Sequence, residues 1–191
     1  MNDALKERLN KIMDRITSPE FLSNSGLGNE IGFYIFDYPP EYELEVRQHV
    51  DFVVDKAFKR KPELRIAHVN LFHVMIDYLK ERGLLEKALV MQKTKGDEAM
   101  FKALKGPLHE EKIAKVFAKV AQPEDHDFVF MTGIGNSYPL LRSHTLLNNL
   151  HPLMGGTPLV VFYPGSYDGQ GLSLFSKMKD NNYYRAFRLV V

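Results

Sequence analysis

The sequence predicts an α/β fold: a mostly parallel sheet of about five strands with helices on both faces. Three observations lead there. Short runs of β-branched and aromatic residues alternate along the chain with stretches of helical periodicity. The middle runs, residues 127–132 and 158–163, are apolar almost throughout, as strands buried on both faces require. Proline, glycine and asparagine punctuate the boundaries between the two patterns.

Each element has its own justification. Leu5, Leu9, Ile12, Met13 and Ile16 recur at helical spacing and predict an amphipathic helix over residues 3–17, followed by a loop over 21–30. Residues 31–38 predict the first strand, stopped by Pro39 and Pro40. Val46, Val50, Val53 and Ala57 share one face of the next helix. Residues 64–69 predict the second strand. Asn70 suits the cap of a helix burying Leu71, Val74, Met75 and Tyr78. The long interval before the third strand predicts an inserted segment of helices over 84–125. One of these starts at Gly106-Pro107 and carries the stripe Ile113, Val116, Phe117 and Val120. A helix over 139–150 follows the third strand. After the fourth strand come a glycine-rich loop, a short helix near 172–178 and a last strand over 184–191. The whole reads as one α/β domain over 1–191, with residues 1–30 forming an N-terminal helix and loop.

Composition narrows the function. A chain of 191 residues, 45% hydrophobic and 26% charged, can bury a substantial core. A net charge of +1 gives no general nucleic-acid footprint, so no direct nucleic acid partner is expected for the chain alone. The absence of cysteine excludes disulfides, thiolate metal sites and cysteine nucleophiles, and it fits a reducing cytoplasm. No segment is long and apolar enough to span a bilayer, and none resembles a signal peptide.

The residues most suggestive of chemistry are Thr132-Gly-Ile-Gly-Asn136, placed between a strand and a helix. Ligands of such sheets sit beyond the carboxyl ends of the strands, where residues 37–40, Asn70 and 163–171 should also gather. A P-loop, however, needs Lys and Ser/Thr after its last glycine, and Gly135 is followed by Asn136, Ser137, Tyr138 and Pro139. The dinucleotide fingerprint wants a third glycine where Tyr138 stands. This is a nucleotide-binding-like architecture lacking a P-loop, and Gly133 and Gly135 are expected to serve a tight turn through positive φ. Gly26, Gly28 and Gly165 are likewise read as turn residues. Nucleotide binding or hydrolysis at the strand ends stays open as the alternative. The histidines form no metal-binding pair, Gly165-Ser166 lacks the surroundings of a nucleophile elbow, and Asp168 reads as a turn residue. No catalytic residue, metal, cofactor or small-molecule ligand is expected.

The helix behind the glycines is less ordinary. At 100° per residue, Leu140, Leu146, Leu147 and Leu150 fall on one arc. Arg142, His144, Thr145, Asn148 and Asn149 fall on the other. A solvated arc usually carries Glu and Lys; Asn, Thr and His are poorer helix formers with directional hydrogen bonds. The arc reads either as a plain polar face or as a partner surface, to which Tyr183 and Arg185 in the stretch DNNYYRAF are added.

Three ordered stretches together resemble a known family: FLSNSGLGNEIGFYIFDYPP (21–40), FMTGIGNSYPLLRSHTLLNNL (130–150) and PLVVFYPGSYDGQGLSLFSKMKDNNYYRAF (158–187). They are similar to the BrxB family of bacterial BREX phage-defence systems. The resemblance implies a cytoplasmic, non-enzymatic accessory or scaffold component of a multi-protein complex. Its implied partners are other BREX proteins, with a PglZ-type phosphatase-superfamily subunit the most natural. It carries over no catalytic residues.

Overall fold

The computed structural model describes residues 1–23, 32–179 and 186–191. Helix α1 (Asp3–Ile16) begins at Asn2, whose side chain accepts from the Leu5 amide at 2.8 Å. It buries the predicted stripe Leu5, Leu9, Ile12, Met13 and Ile16. Ser18 and Pro19 then start one further turn, α2 (Pro19–Leu22), which sends Phe21 into the core where a loop was expected. Strand β1 (Phe33–Tyr38) ends at the two prolines, and α3 (Glu43–Arg60) buries Val46, Val50, Val53 and Ala57. Strand β2 (Ile66–Asn70) leads directly into α4 (Leu71–Glu81), capped by Asn70 as its sequence predicts. The buried face of α4 includes Leu79, and Tyr78 is only half-buried.

The inserted segment consists of α5 (Leu85–Lys95), α6 (Asp97–Leu104) and α7 (Glu110–Ala121). The last of these does not start at Pro107. The Leu108 amide still donates to Leu104 O at 2.8 Å, so Pro107 belongs to the turn that closes α6. His109 is extended and caps α7 instead. Ile113 and Phe117 are buried, Val116 is half-buried, and Val120 is 54% exposed, off the expected stripe.

Strand β3 (Phe128–Thr132) leads into the single turn α8 (Ile134–Ser137) and then α9 (Ser143–Leu150). The predicted helix over 139–150 is therefore shorter. Arg142 is extended (φ −97°, ψ 117°), and buried Leu141 is anchored by its amide on Ser137 O at 3.0 Å. Strand β4 (Leu159–Tyr167) is longer than expected. Residues 172–178 form no helix: β5 (Leu172–Leu174) folds back antiparallel on Gly165–Tyr167 and pairs with β6 (Met178–Lys179). Of the last strand predicted over 184–191, residues 184 and 185 lie outside the described residues, and β7 spans Phe187–Arg188.

Among the described residues, five strands run parallel in the order β2-β3-β4-β1-β7. Alternation along them sends successive side chains to opposite faces. Tyr34, Phe36, Phe128, Phe130, Val160 and Phe162 pack under α1 and α3. Phe33, Ile35, Val69, Val129, Met131 and Val161 pack under α4 to α9. The first face is aromatic: Phe130 meets Phe162 edge-on at 5.2 Å and Phe21 meets Phe128 at 5.3 Å. Full burial of each such ring contributes about 1.5–3 kcal/mol. The carboxyl ends of β1, β3 and β4 come together at one end of the sheet, in the region where sheets of this kind hold ligands.

Candidate functional site

Around the turn after β3 the strand-end crevice is filled by the chain itself. Asn70 Oδ1 accepts from the amides of Phe72 (3.0 Å) and His73 (3.2 Å), closing the start of α4. The same oxygen occupies the space above Gly133, where a Cβ would come within 2.2 Å of it. Gly133 has a φ of +79°, as a turn glycine does. Gly135 differs from expectation. It lies within α8, and it is small because Pro164 and Phe175 press on it: a Cβ would meet their ring atoms at 2.9 and 3.1 Å. Gly165 has the same role in the hairpin, where a Cβ would lie 2.1 Å from Ser173 O. Gly26 and Gly28 lie outside the described residues.

Beside this turn sits a carboxylate that spacing could not single out. Asp37, at the end of β1, is 7% exposed. Its Oδ1 accepts from Arg8 Nη2 at 2.8 Å, and its Oδ2 accepts from the Tyr167 amide at 3.1 Å. Arg188 Nη1 stands 3.5 Å from both oxygens, while its Nη2 donates to Tyr167 O. Arg8 also donates to Asp37 O and stacks over Phe36 at 4.7 Å. One carboxylate thereby ties α1, β1, β4 and β7 together.

Two further polar chains close the same end. Tyr38 donates to Glu43 Oε2 at 2.6 Å, and Arg47 bridges Glu43 (3.0 Å) and Asn136 (3.4 Å). Burial, reinforced by the charge of Glu43, pushes the Tyr38 phenol far above its ordinary pKa and keeps it protonated. On the edge strand, His68 Nε2 lies 3.1 Å from Thr132 Oγ1 and its Nδ1 lies 3.6 Å from Asp51. Burial lowers the His68 pKa, and Asp51 opposes that shift. Carboxylate, imidazole and hydroxyl stand in the order of a nucleophile relay. Thr132, however, is 5% exposed, so the arrangement serves to satisfy a buried hydroxyl. Among the described residues, no group of three or more His, Cys, Asp or Glu is placed to hold a metal ion.

The α9 arc is the open part. Leu146, Leu147 and Leu150 anchor the helix in the core. His144, Thr145 and Asn149 are half-buried, and Arg142 and Asn148 are exposed. Asn149 donates to Thr145 O at 2.8 Å, and Thr145 Oγ1 lies 2.9 Å from His144 Nε2. The Arg142 amide donates to Glu110 Oε1 of α7 at 3.4 Å. Arg142 lines two concavities. One, of about 560 Å³, lies toward the inserted helices; the other, of about 290 Å³, lies toward Tyr138, His144 and Tyr163. The structure therefore places His144, Thr145, Asn148 and Asn149 on α9 with Arg142 at its N-cap, and Arg142, His144 and Thr145 border the two hollows. Tyr183 and Arg185 lie outside the described residues. Sequence reasoning missed Lys102, Lys105 and Glu110 beside Arg142, because they reach it from a distant segment.

A family model described as BREX protein BrxB matches residues 67–189, which include β3, β4, the whole α9 arc and all of β2 but its first residue. The chain belongs to the BrxB family. It is 44% identical over 190 residues to the BREX protein BrxB of Bacillus cereus (strain H3081.97), with 97% of each chain covered. It is 45% identical over 190 residues to that of Escherichia coli O9:H4 (strain HS), covering 100% of this chain and 94% of the relative. No solved structure matches the chain. In this BrxB-family chain no helix among the described residues is long and apolar enough to cross a membrane.

Proposed function

We propose that this chain is a non-catalytic, cytoplasmic accessory or scaffold component of a BREX anti-phage complex. It binds other BREX proteins, most naturally a PglZ-type phosphatase-superfamily subunit, through the polar arc of α9. Membership in the BrxB family supports the system. The observation that carries the mode of action is the contrast at the strand ends: glycines packed against Asn70, Pro164 and Phe175, beside a polar arc whose Arg142, His144 and Thr145 border two hollows. Arginine and asparagine suit specific polar contacts at such a surface.

The test is co-expression with a PglZ-type subunit followed by affinity capture and size-exclusion chromatography. Wild-type chain should co-elute with the subunit, and Arg142→Glu combined with Asn149→Ala should weaken capture at an unchanged melting temperature. Undiminished capture would remove the arc from the reading. Calorimetry with ATP and GTP, with and without magnesium, checks the alternative use of the strand ends. Binding tighter than about 100 μM, roughly 5.5 kcal/mol, that disappears in Gly135→Val would replace the scaffold reading with a nucleotide-binding one.

A further inference from the structure

The larger hollow beside Arg142 has a chemistry of its own. Its floor is partly apolar, lined by half-buried Phe101 and Leu140. Lys102 and Lys105, about one helical turn apart at the end of α6, line it from one element, and Arg142, at the N-cap of α9, lines it from another. Among the described residues, none of these three side chains has a carboxylate within ion-pair distance, whereas Lys80 and Lys115 are paired with Asp77 and Glu111 along their own helices. Glu110, the carboxylate in the hollow, accepts from the Arg142 backbone amide. Three cations against one engaged carboxylate is a local excess in a chain whose net charge is only +1.

We infer that this hollow is the docking groove for an acidic segment of a partner protein, one with apolar side chains between its carboxylates. The inference rests on the reading of α9 as a partner surface and names what the partner presents there. Cations contributed by two separate elements match carboxylates spaced along an extended chain. Apolar side chains from such a segment would cover Phe101 and Leu140 and dry the contacts above them, which strengthens charge pairing. The cavity, about 560 Å³, is of the size that takes a few side chains.

The experiment needs no identified partner. A random library of 12-residue peptides displayed on yeast is selected against the intact chain, and the enriched peptides are measured by fluorescence anisotropy. Peptides rich in Asp and Glu with interspersed Leu or Phe should enrich. Their affinity should fall at least about tenfold in Lys102→Glu/Lys105→Glu, weaken with salt, and persist in Lys102→Arg/Lys105→Arg. Far-UV circular dichroism and a thermal melt confirm that the variants fold. Absence of enrichment, enrichment without acidic bias, or equal binding by the charge-reversed variant would each overturn the inference. Displacement of the peptide by sodium triphosphate at matched charge would also overturn it, in favour of a general anion site. Because capture of the PglZ-type subunit is measured separately on the α9 variants, either reading can fail alone.

Discussion

The strand-end crevice and the α9 flank lie side by side and are built on opposite principles. In the crevice, polar groups are turned on one another: Asp37 on Arg8, Tyr167 and Arg188, Tyr38 on Glu43, His68 on Thr132. On the flank, Arg142 and Asn148 face outward and hollows separate the helices. A sheet end of this type commonly holds a ligand; here its polar groups also tie the chain together. The difference teaches that a glycine turn at a strand end is informative only once its neighbours are known.

The comparison breaks most visibly at Asp37. Replacing it with Ala leaves Arg8 and Arg188 without their shared carboxylate and should cost about 3 kcal/mol of unfolding free energy, read by urea denaturation. A loss below about 1 kcal/mol would mean that the crevice is not self-sealing. Gly165→Ala comes next. Its Cβ would collide with a backbone carbonyl, which cannot swing away, and about 2 kcal/mol should be lost. A smaller contrast appears with pH. Burial lowers the pKa of both His49 and His68 below the unfolded value of 6.5. The unfolded chain then binds more protons, so their contribution is present above pH 6.5 and is lost as pH falls from there through the folded-state values. Denaturation midpoints at pH 7.5, 6.5 and 5.5 should decline in that order, and His68→Asn should flatten the decline. The smallest effect on stability is expected on the flank: Arg142→Glu with Asn149→Ala should shift unfolding by less than about 0.5 kcal/mol. A larger shift would show that the arc serves the fold as the crevice does.

What could be read in advance follows the same division. The strands ending at Thr132 and running on from Leu159 were legible because continuous apolar runs between breakers admit few other readings, and Asn70 announced its helix by type and place. The hairpin was not legible. Leu172 and Leu174 alternate for only three residues, too few to distinguish strand from helix, and their partner is an extension of β4 past Pro164. Pro107 and Pro139 both suggested helix starts, yet the preceding turns run on through the backbone bonds of Leu108 and Leu141. On the flank, the periodicity of α9 gave the arc but not its neighbours. Asp37, with partners on α1 and β7, and Arg142, facing Lys102 and Lys105, are joined only by tertiary folding, which no local spacing records.

The place of β1 in the sheet has a consequence for how the protein is made. Its six residues lie between β4 and β7, with Tyr34 paired to Val160 on one side and to Phe187 on the other. This interior strand is thus translated early, and both its neighbours leave the ribosome near the end. Until then Tyr34 and Phe36 have only α1, α2 and α3 to shelter them, and contacts so distant in sequence form slowly. Nascent chains stalled before residue 158 should engage chaperones, and those released whole should not.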